Sequence, residues 1–220
     1  MLVLIRNTRT VFHRMRNRAV ADYKECILDC LEPSERPVSL LDCGCDDGEW
    51  TLVLGRRIGE ARLFGIEIVE ERRRLALEKG LDARSSDLNS RFPFSDESFD
   101  VVHANQVLEH LGDTNGFVGE IWRVLKPSGY AVICTENLAS WHNIFALTLG
   151  WQPFSLSNVS ETRFQLGNPL AIHSGESLAK PKSWQHLRVF AYLGLKDIFV
   201  EHGFEVERCV GSVLSVAQSV

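Results

Sequence analysis

Val38-Ser-Leu-Leu-Asp-Cys-Gly-Cys-Asp-Asp-Gly48 decides the fold: an apolar run runs straight into a loop bounded by two glycines. Val38 to Cys43 reads as a buried strand, Gly44 to Gly48 as a tight loop, and Glu49 to about Ile58 as the helix that follows. Glycines let the backbone turn sharply and approach a ligand, and the next helix offers N–H groups at its N-terminus. Glu67 closes a second strand, Arg62 to Ile68, 23 residues after Gly44. A carboxylate there is placed to accept both ribose hydroxyls of a nucleoside.

Working outward, Val11 to Leu31 is helical, with Met15, Ala19, Tyr23, Cys26, Ile27 and Cys30 on one stripe, until Pro33 and Pro37 break the pattern. Glu70 to Lys79 is a charged helix with a Glu70–Arg74 pair and Gly80 as its stop. A short strand near Ala83 to Ser86, a strand from Ser98 to Ala104 and one from Tyr130 to Cys134 follow. Between the last two, Thr114 caps a helix with the stripe Phe117, Ile121, Val124 and Leu125, and Lys126-Pro-Ser-Gly129 turns out of it. Strands alternating with helices predict an α/β fold: a Rossmann-like, doubly wound, mostly parallel sheet in a single domain, residues 1–220.

Residues 1–36 form its N-terminal helical segment. Residues 137–185 lack a clean period and read as a cap inserted between strands 5 and 6. Arg188 to His202 is an amphipathic helix, and Phe204 to Val210 is the sixth strand. A Gly211-Ser212 turn into Val213 to Val216 suggests a seventh, antiparallel strand, expected to be short or missing.

The 220 residues are 45% hydrophobic, 24% charged and carry a formal charge of -5, enough for a real core. The acidic balance argues against a wide grip on nucleic acid. No apolar run reaches the roughly 18–20 residues of a membrane span, and Leu2 to Ile5 is too short for a secretory core, so the expectation is a cytoplasmic protein without a membrane partner. The six cysteines are then expected to stay reduced. Cys26 and Cys30, at i and i+4, leave zinc open, without a second pair at matching spacing.

The loop also carries Asp42, Asp46 and Asp47, which would repel a pyrophosphate but suit a ligand with a sulfonium and an ammonium. The alternative for Asp46 and Asp47 is turn formation and capping of the next helix. Leu40 to Gly48 resembles the first motif of class I S-adenosylmethionine-dependent methyltransferases. Glu67, Asp87-Leu88, Phe99-Asp-Val-Val102, Val107-Leu-Glu-His-Leu111 and Leu125-Lys-Pro-Ser-Gly129 resemble the later motifs in order, most closely those of the type 11 branch. His186-Leu-Arg-Val-Phe190 is similar to a segment of members with an inserted cap. The resemblance implies S-adenosyl-L-methionine as cofactor and S-adenosyl-L-homocysteine as product. It puts Asp42 and the backbone of Gly44 at the methionine end, within a loop completed by Cys45 and Gly48. Glu67 would take the ribose, Ile68 the adenine face, Asp87 the adenine amino group and the Leu88 backbone a ring nitrogen. The Asn105 backbone would help hold the methionine end. The family's middle glycine is Asp46 here, a residue type that tolerates φ > 0.

On the acceptor side, His110 follows the fourth strand at the edge where α/β sites lie and is the candidate general base for a small-molecule acceptor. The cap aromatics Trp141, His142, Trp151, Phe154, Phe164 and Trp184 would close over it. In small-RNA 3′-terminal 2′-O-methyltransferases a related Glu-His pair and a later histidine help bind a divalent metal, which makes Glu109, His110 and His186 alternative metal ligands, with Gln106 where that pattern has a second glutamate. Two other readings stay open: a cofactor-binding scaffold without turnover, and a nicotinamide-dependent oxidoreductase, which the acidic loop opposes.

Overall fold

Period-two alternation along the apolar strands sets the layers of the fold. The computed structural model describes residues 18–159, 166–171 and 185–218. Residues 18–29 are helical (α1), followed by β1 (Ser34–Cys43), α2 (Glu49–Ile58), β2 (Gly59–Ile66), α3 (Glu70–Glu78), β3 (Asp82–Arg84) and β4 (Phe99–Asn105). Then come α4 (Thr114–Val124), β5 (Leu125–Cys134), α5 (Trp141–Thr148), α6 (Tyr192–Glu201), β6 (Phe204–Val210) and β7 (Val213–Gln218). Leu40, Val101 and Val132 point to one face, where Ile27 of α1, Leu31 just past it and α2 (Leu54, Ile58) cover them. Leu41, Val102, Ala104 and Ile133 point to the other, under α4 (Phe117, Ile121, Val124) and α6 (Leu195, Phe199). Each fully buried Val, Leu, Ile or Phe among them contributes roughly 1.5–3 kcal/mol.

The strand order is β3-β2-β1-β4-β5-β7-β6, parallel except for β7. Order reverses between β1 and β4, so the C-terminal ends of β1, β2, β4 and β5 share one edge with a crevice at the switch point. Among the described residues no helix is long and apolar enough to cross a membrane.

Several sequence expectations are corrected in detail. The seventh strand is neither short nor missing: β7 has six residues and lies between β5 and β6, paired with both. Lys126-Pro-Ser-Gly129 is not a turn between elements but a bulge inside β5, opposite the step from Phe99 to Val101, with Ser128 at φ 65°. Asp113, not Thr114, caps α4, accepting from the Gly116 N–H at 2.9 Å. Glu70 pairs with Arg73 at 2.6 Å rather than with Arg74. β2 begins and ends earlier than expected, which leaves Glu67 and Ile68 just beyond the strand. The described part of the cap contains α5 and a 3-10 turn, Phe154–Leu156, where the sequence showed no clean period. The part of the first predicted helix from Val11 to residue 17 lies outside the described residues, as do Phe164 and Trp184.

Candidate cofactor and acceptor site

The chain leaves β1 through three left-handed residues, Gly44 (φ 78°), Asp46 (φ 49°) and Gly48 (φ 80°). The first two aim the loop back over β2, where the N–H groups of Gly44 and Cys45 both donate to the Ile66 carbonyl (2.8 and 3.1 Å). A Cβ on Gly44 would lie 2.8 Å from the Val107 side chain, so only glycine lets the β1 loop and the segment after β4 come this close. Asp46 takes the left-handed position that the resemblance gives to glycine, as a short polar residue can. Gly48 faces elsewhere: a Cβ there would meet Ala76 and Leu81 at 3.2 Å, so this glycine packs α2 against α3.

Glu67 stands half-buried at the tip of β2, its Oε1 accepting from the Val69 N–H (2.7 Å) and its Oε2 from the Asp46 N–H (3.1 Å). Burial raises its pKa, and the two N–H groups oppose that rise. Ile68 is exposed beside it. Asp87 closes a turn on Asn89, accepting from its N–H and its amide nitrogen at 2.9 Å, and Leu88 packs on the apolar cluster. These residues follow neighbouring strands and share the crevice edge. Asp42 is buried below it, with Oδ1 2.7 Å from His103 Nδ1 and Oδ2 accepting from the Thr51 hydroxyl at 2.5 Å. Asn105, at the end of β4, has a buried Oδ1 without a hydrogen-bond partner among the described residues, and His103 Nε2 and Trp50 Nε1 are in the same condition.

The loop carboxylates do not act as the sequence charge count suggested. Asp46 pairs with Arg72 (3.2 Å), and Asp47 pairs with Lys79 (3.0 Å) while its other oxygen accepts from the Glu49 N–H (3.0 Å). That N–H, first of all, holds the Asp47 carboxyl below the usual range. Asp47 follows the turn half of the alternative: it accepts from the Glu49 N–H, while Gly48 is the N-cap of α2 and has no side-chain cap bond. Cys45 is buried, and burial raises its thiol, so its side chain serves packing against Gly65.

On the other side of the crevice, Gln106 (φ 56°) turns the chain out of β4 and a 3-10 turn, Leu108–His110, drives Glu109 inward until it is fully buried. Its Oε2 accepts from the Thr135 hydroxyl (2.8 Å), and its backbone carbonyl accepts from the Leu187 N–H (2.7 Å), which draws the segment before α6 onto the site. His110 Nδ1 lies 3.0 Å from the Gln185 carbonyl and His186 Nδ1 2.6 Å from the Ser155 carbonyl. A carbonyl only accepts, so each ring donates through Nδ1, which leaves Nε2 as the atom free to face the crevice. The two rings meet edge to face at 4.9 Å. One donor atom each from Glu109, His110 and His186 falls within 4.8 Å of the others.

With its amide nitrogen turned toward the carboxylates, Gln106 donates to Glu109 Oε1 (2.9 Å) and Glu136 Oε1 (3.2 Å). Burial pushes Glu109 up to about 7, against the opposing hydrogen bonds from its own backbone and Thr135. Burial likewise lowers His110, which favours the neutral ring.

Sequence reasoning missed Glu136, Thr135, Ser155 and Asn143. Ser155 donates to Glu136 Oε2 (2.7 Å) and accepts from Asn143 (2.9 Å), tying the cap to the sheet edge. Glu136 follows an apolar strand as Glu67 does, and the same positional rule would have found it; Ser155 and Asn143 had no signal. Trp141 does not close over the site, being 86% exposed.

A family model described as "Methyltransferase domain" matches residues 12–208. Human mitochondrial ubiquinone biosynthesis O-methyltransferase is 26% identical over 214 residues, 90% of this chain and 51% of that protein. The demethylmenaquinone methyltransferase of Listeria welshimeri is 28% identical over 124 residues, 50% of this chain and 51% of that protein. The chain thus spans about half the length of these curated relatives. A Thermotoga maritima structure described as an S-adenosylmethionine-dependent methyltransferase, possibly a histamine N-methyltransferase, superposes with a TM-score of 0.62 at 17% identity, covering 96% of this chain and 98% of that one. With its switch-point crevice, its sheet order and a family match over most of its length, the chain belongs to the class I S-adenosylmethionine-dependent methyltransferases.

Proposed function

We propose that this domain moves the methyl group of S-adenosyl-L-methionine to a small or medium organic acceptor, leaving S-adenosyl-L-homocysteine. The observation that carries the reading is the Glu67 carboxylate, clamped by two backbone N–H groups beside the left-handed turn of Gly44 and Asp46. Glu67 would accept the ribose hydroxyls, Ile68 would lie under the adenine, and Asp87 with the Leu88 backbone would read its edge. The Gly44 and Cys45 N–H groups are already committed to Ile66, and the Cys45 carbonyl accepts from the Gly48 N–H, so the Gly44 carbonyl would serve the methionine ammonium. Asp42 and the Asn105 backbone would complete that end. The sulfonium supplies an activated leaving group, so the chain's task is to align two reactants and exclude water. His110, neutral and with its Nε2 lone pair free of the Gln185 contact, can take the proton of a hydroxyl acceptor. The relatives' names, ubiquinone and demethylmenaquinone methyltransferases, support a small-molecule acceptor over a macromolecule.

Titration calorimetry with S-adenosyl-L-homocysteine tests this directly. Binding heat is expected, and Glu67→Ala should weaken affinity by about 1–3 kcal/mol. No heat at protein concentrations on the order of tens of micromolar, together with an unchanged melting temperature, would overturn the reading.

The convergence of Glu109, His110 and His186 favours a second reading of the acceptor side. Two imidazoles and one carboxylate suit a first-row divalent cation, and the carbonyls of Gln185 and Ser155 orient the rings as outer-shell partners do. Such a cation would polarise an acceptor hydroxyl. Metal analysis of protein purified without chelator, and activity in EDTA, decide between the two. Metal-free protein that keeps full activity in EDTA removes the cation.

A further inference from the structure

Helix α5 is turned inside out. Its inward positions are Asn143 and the small Ala146, with Asn143 donating to the Asn137 carbonyl and to Ser155. Its outward side chains are Trp141 (86% exposed), Ile144, Phe145 (52%) and Leu147 (54%), with Leu149 just beyond. A helix that meets water arranges itself the other way round. From Asn137 to Ser160 the sequence contains no Asp, Glu, Lys or Arg, so no charge of the segment's own solvates this face. The strand-like segment at Phe190, bridged to Asn137 and accepting from the Leu138 N–H, leads into Tyr192 and Leu193, both exposed as well.

The size of the face narrows the occupant. At about 150–250 Å² per large side chain, the five residues of α5 and its end expose on the order of 500 Å². That lies at the low end of what one partner buries in a protein pair, where contacts are weak or transient. A bilayer surface sets no such lower limit: it takes up apolar side chains one at a time, and tryptophan suits the headgroup level.

We propose that this face of the cap rests on a lipid bilayer, so that the acceptor site opens at headgroup level onto the polar head of a membrane-resident amphiphile. The second half of this rests on the methyltransferase reading above. The inward side of α5 leads directly to the acceptor edge: Asn143 holds Ser155, whose hydroxyl donates to Glu136 and whose carbonyl accepts from His186. The contact is peripheral, since no described helix can span a membrane. The sequence expectation of no membrane partner rested on spanning segments alone, and a peripheral contact of this kind lies outside it.

The test is flotation of the full chain with extruded phosphatidylcholine vesicles, with and without about one-fifth phosphatidylglycerol. Wild type should float with both, its tryptophan emission shifted to the blue and quenched by brominated lipid. The double variant Phe145→Glu, Leu147→Glu should partition at least about ten-fold less, with unchanged melting temperature. Trp141→Ser is the milder variant should the double one unfold, and it should lose the lipid-quenched emission. Wild type left in the lipid-free fraction overturns the proposal, as does binding that requires the anionic lipid. A wild-type dimer that the double variant splits, without flotation, assigns the face to a second copy instead. Calorimetry with S-adenosyl-L-homocysteine on the same samples separates the two readings: heat without flotation sinks only the bilayer contact, and flotation without heat sinks only the cofactor reading and the acceptor clause that depends on it.

Discussion

Gly48→Ala should destabilise the domain by about 2–4 kcal/mol, whereas Gly80→Ala should cost about 1 kcal/mol. Both glycines lie in the left-handed region, at φ 80° and 92°. The conformational penalty for a side chain there is roughly 1–2 kcal/mol, offset by several tenths because alanine restricts the unfolded chain. What separates them is space. A Cβ at Gly48 would sit 3.2 Å from both the Cα and Cβ of Ala76 and from the Leu81 side chain, while at Gly80 nothing lies within 4 Å. The Ala76 contact is to helix backbone and cannot swing away, so α2 and α3 must part, an overpacking cost of about 1–3 kcal/mol. Urea unfolding followed by circular dichroism measures both variants, and equal m-values would show that the change lies in stability. If Gly48→Ala costs no more than Gly80→Ala, the close approach of the loop to α3 is not what holds Gly48 in place. Affinity for S-adenosyl-L-homocysteine gives a second check: packing alone predicts a loss below about ten-fold in the folded variant, and a loss of a hundred-fold or more would return Gly48 to the cofactor contacts.

Three further outcomes are expected. Asp113→Ala removes the side chain that accepts from Gly116 at the start of α4 and should cost about 1 kcal/mol, read from the urea midpoint; no change would leave that cap without energetic weight. Arg123 ties Glu120, Asp96 and the Phe92 and Phe94 carbonyls together, and Arg123→Met should cost about 1–2 kcal/mol at pH 7 after allowance for partial solvent screening. Arg123 also holds the Glu120 carboxyl below its ordinary value near 4.5. Its contribution is therefore complete above that pH and is lost as pH falls through the lower folded value, so the acid-side drop in stability should be shallower in Arg123→Met; parallel curves for variant and wild type would refute the assignment.

The parallel sheet was legible because its strands are apolar runs that end at residues with distinctive chemistry, such as Gly44, Glu67 and Asn105. Element ends were less legible where tertiary hydrogen bonds overrode local signals. Asp113 and Thr114 are both good capping residues, and only the position of Gly116 relative to Asp113 decides between them. Lys126-Pro-Ser-Gly129 has every mark of a turn, yet pairing of Leu125 with Phe99 pulls it into β5 as a bulge. The first motif showed where a ligand could approach but not which of its acidic residues are free, because their partners, Arg72 on α3 and Lys79 at its C-cap, lie more than twenty residues away. The acceptor edge was the least legible part: Ser155 and Asn143 are ordinary residues whose importance comes only from the fold bringing them to Glu136 and His186.

Once those partners are counted, the charge of the crevice rests on different residues from those the sequence singled out. Asp46 and Asp47 face cations of α3, and Asp42 is satisfied by Thr51 and His103. Among the described residues no lysine or arginine pairs with Glu67, Glu109 or Glu136; their hydrogen-bond donors are backbone N–H groups, the hydroxyls of Thr135 and Ser155, and the Gln106 amide. These three carboxyl groups are held by neutral donors with no counter-ion beside them, and they follow neighbouring strands at one edge of the sheet. Burial pulls Glu109, and Glu67 with it, toward the neutral form, which tempers this. Such a crevice repels phosphate and favours a cationic ligand, so the preference for a sulfonium over a dinucleotide survives, carried by the ends of β2, β4 and β5 rather than by the glycine loop.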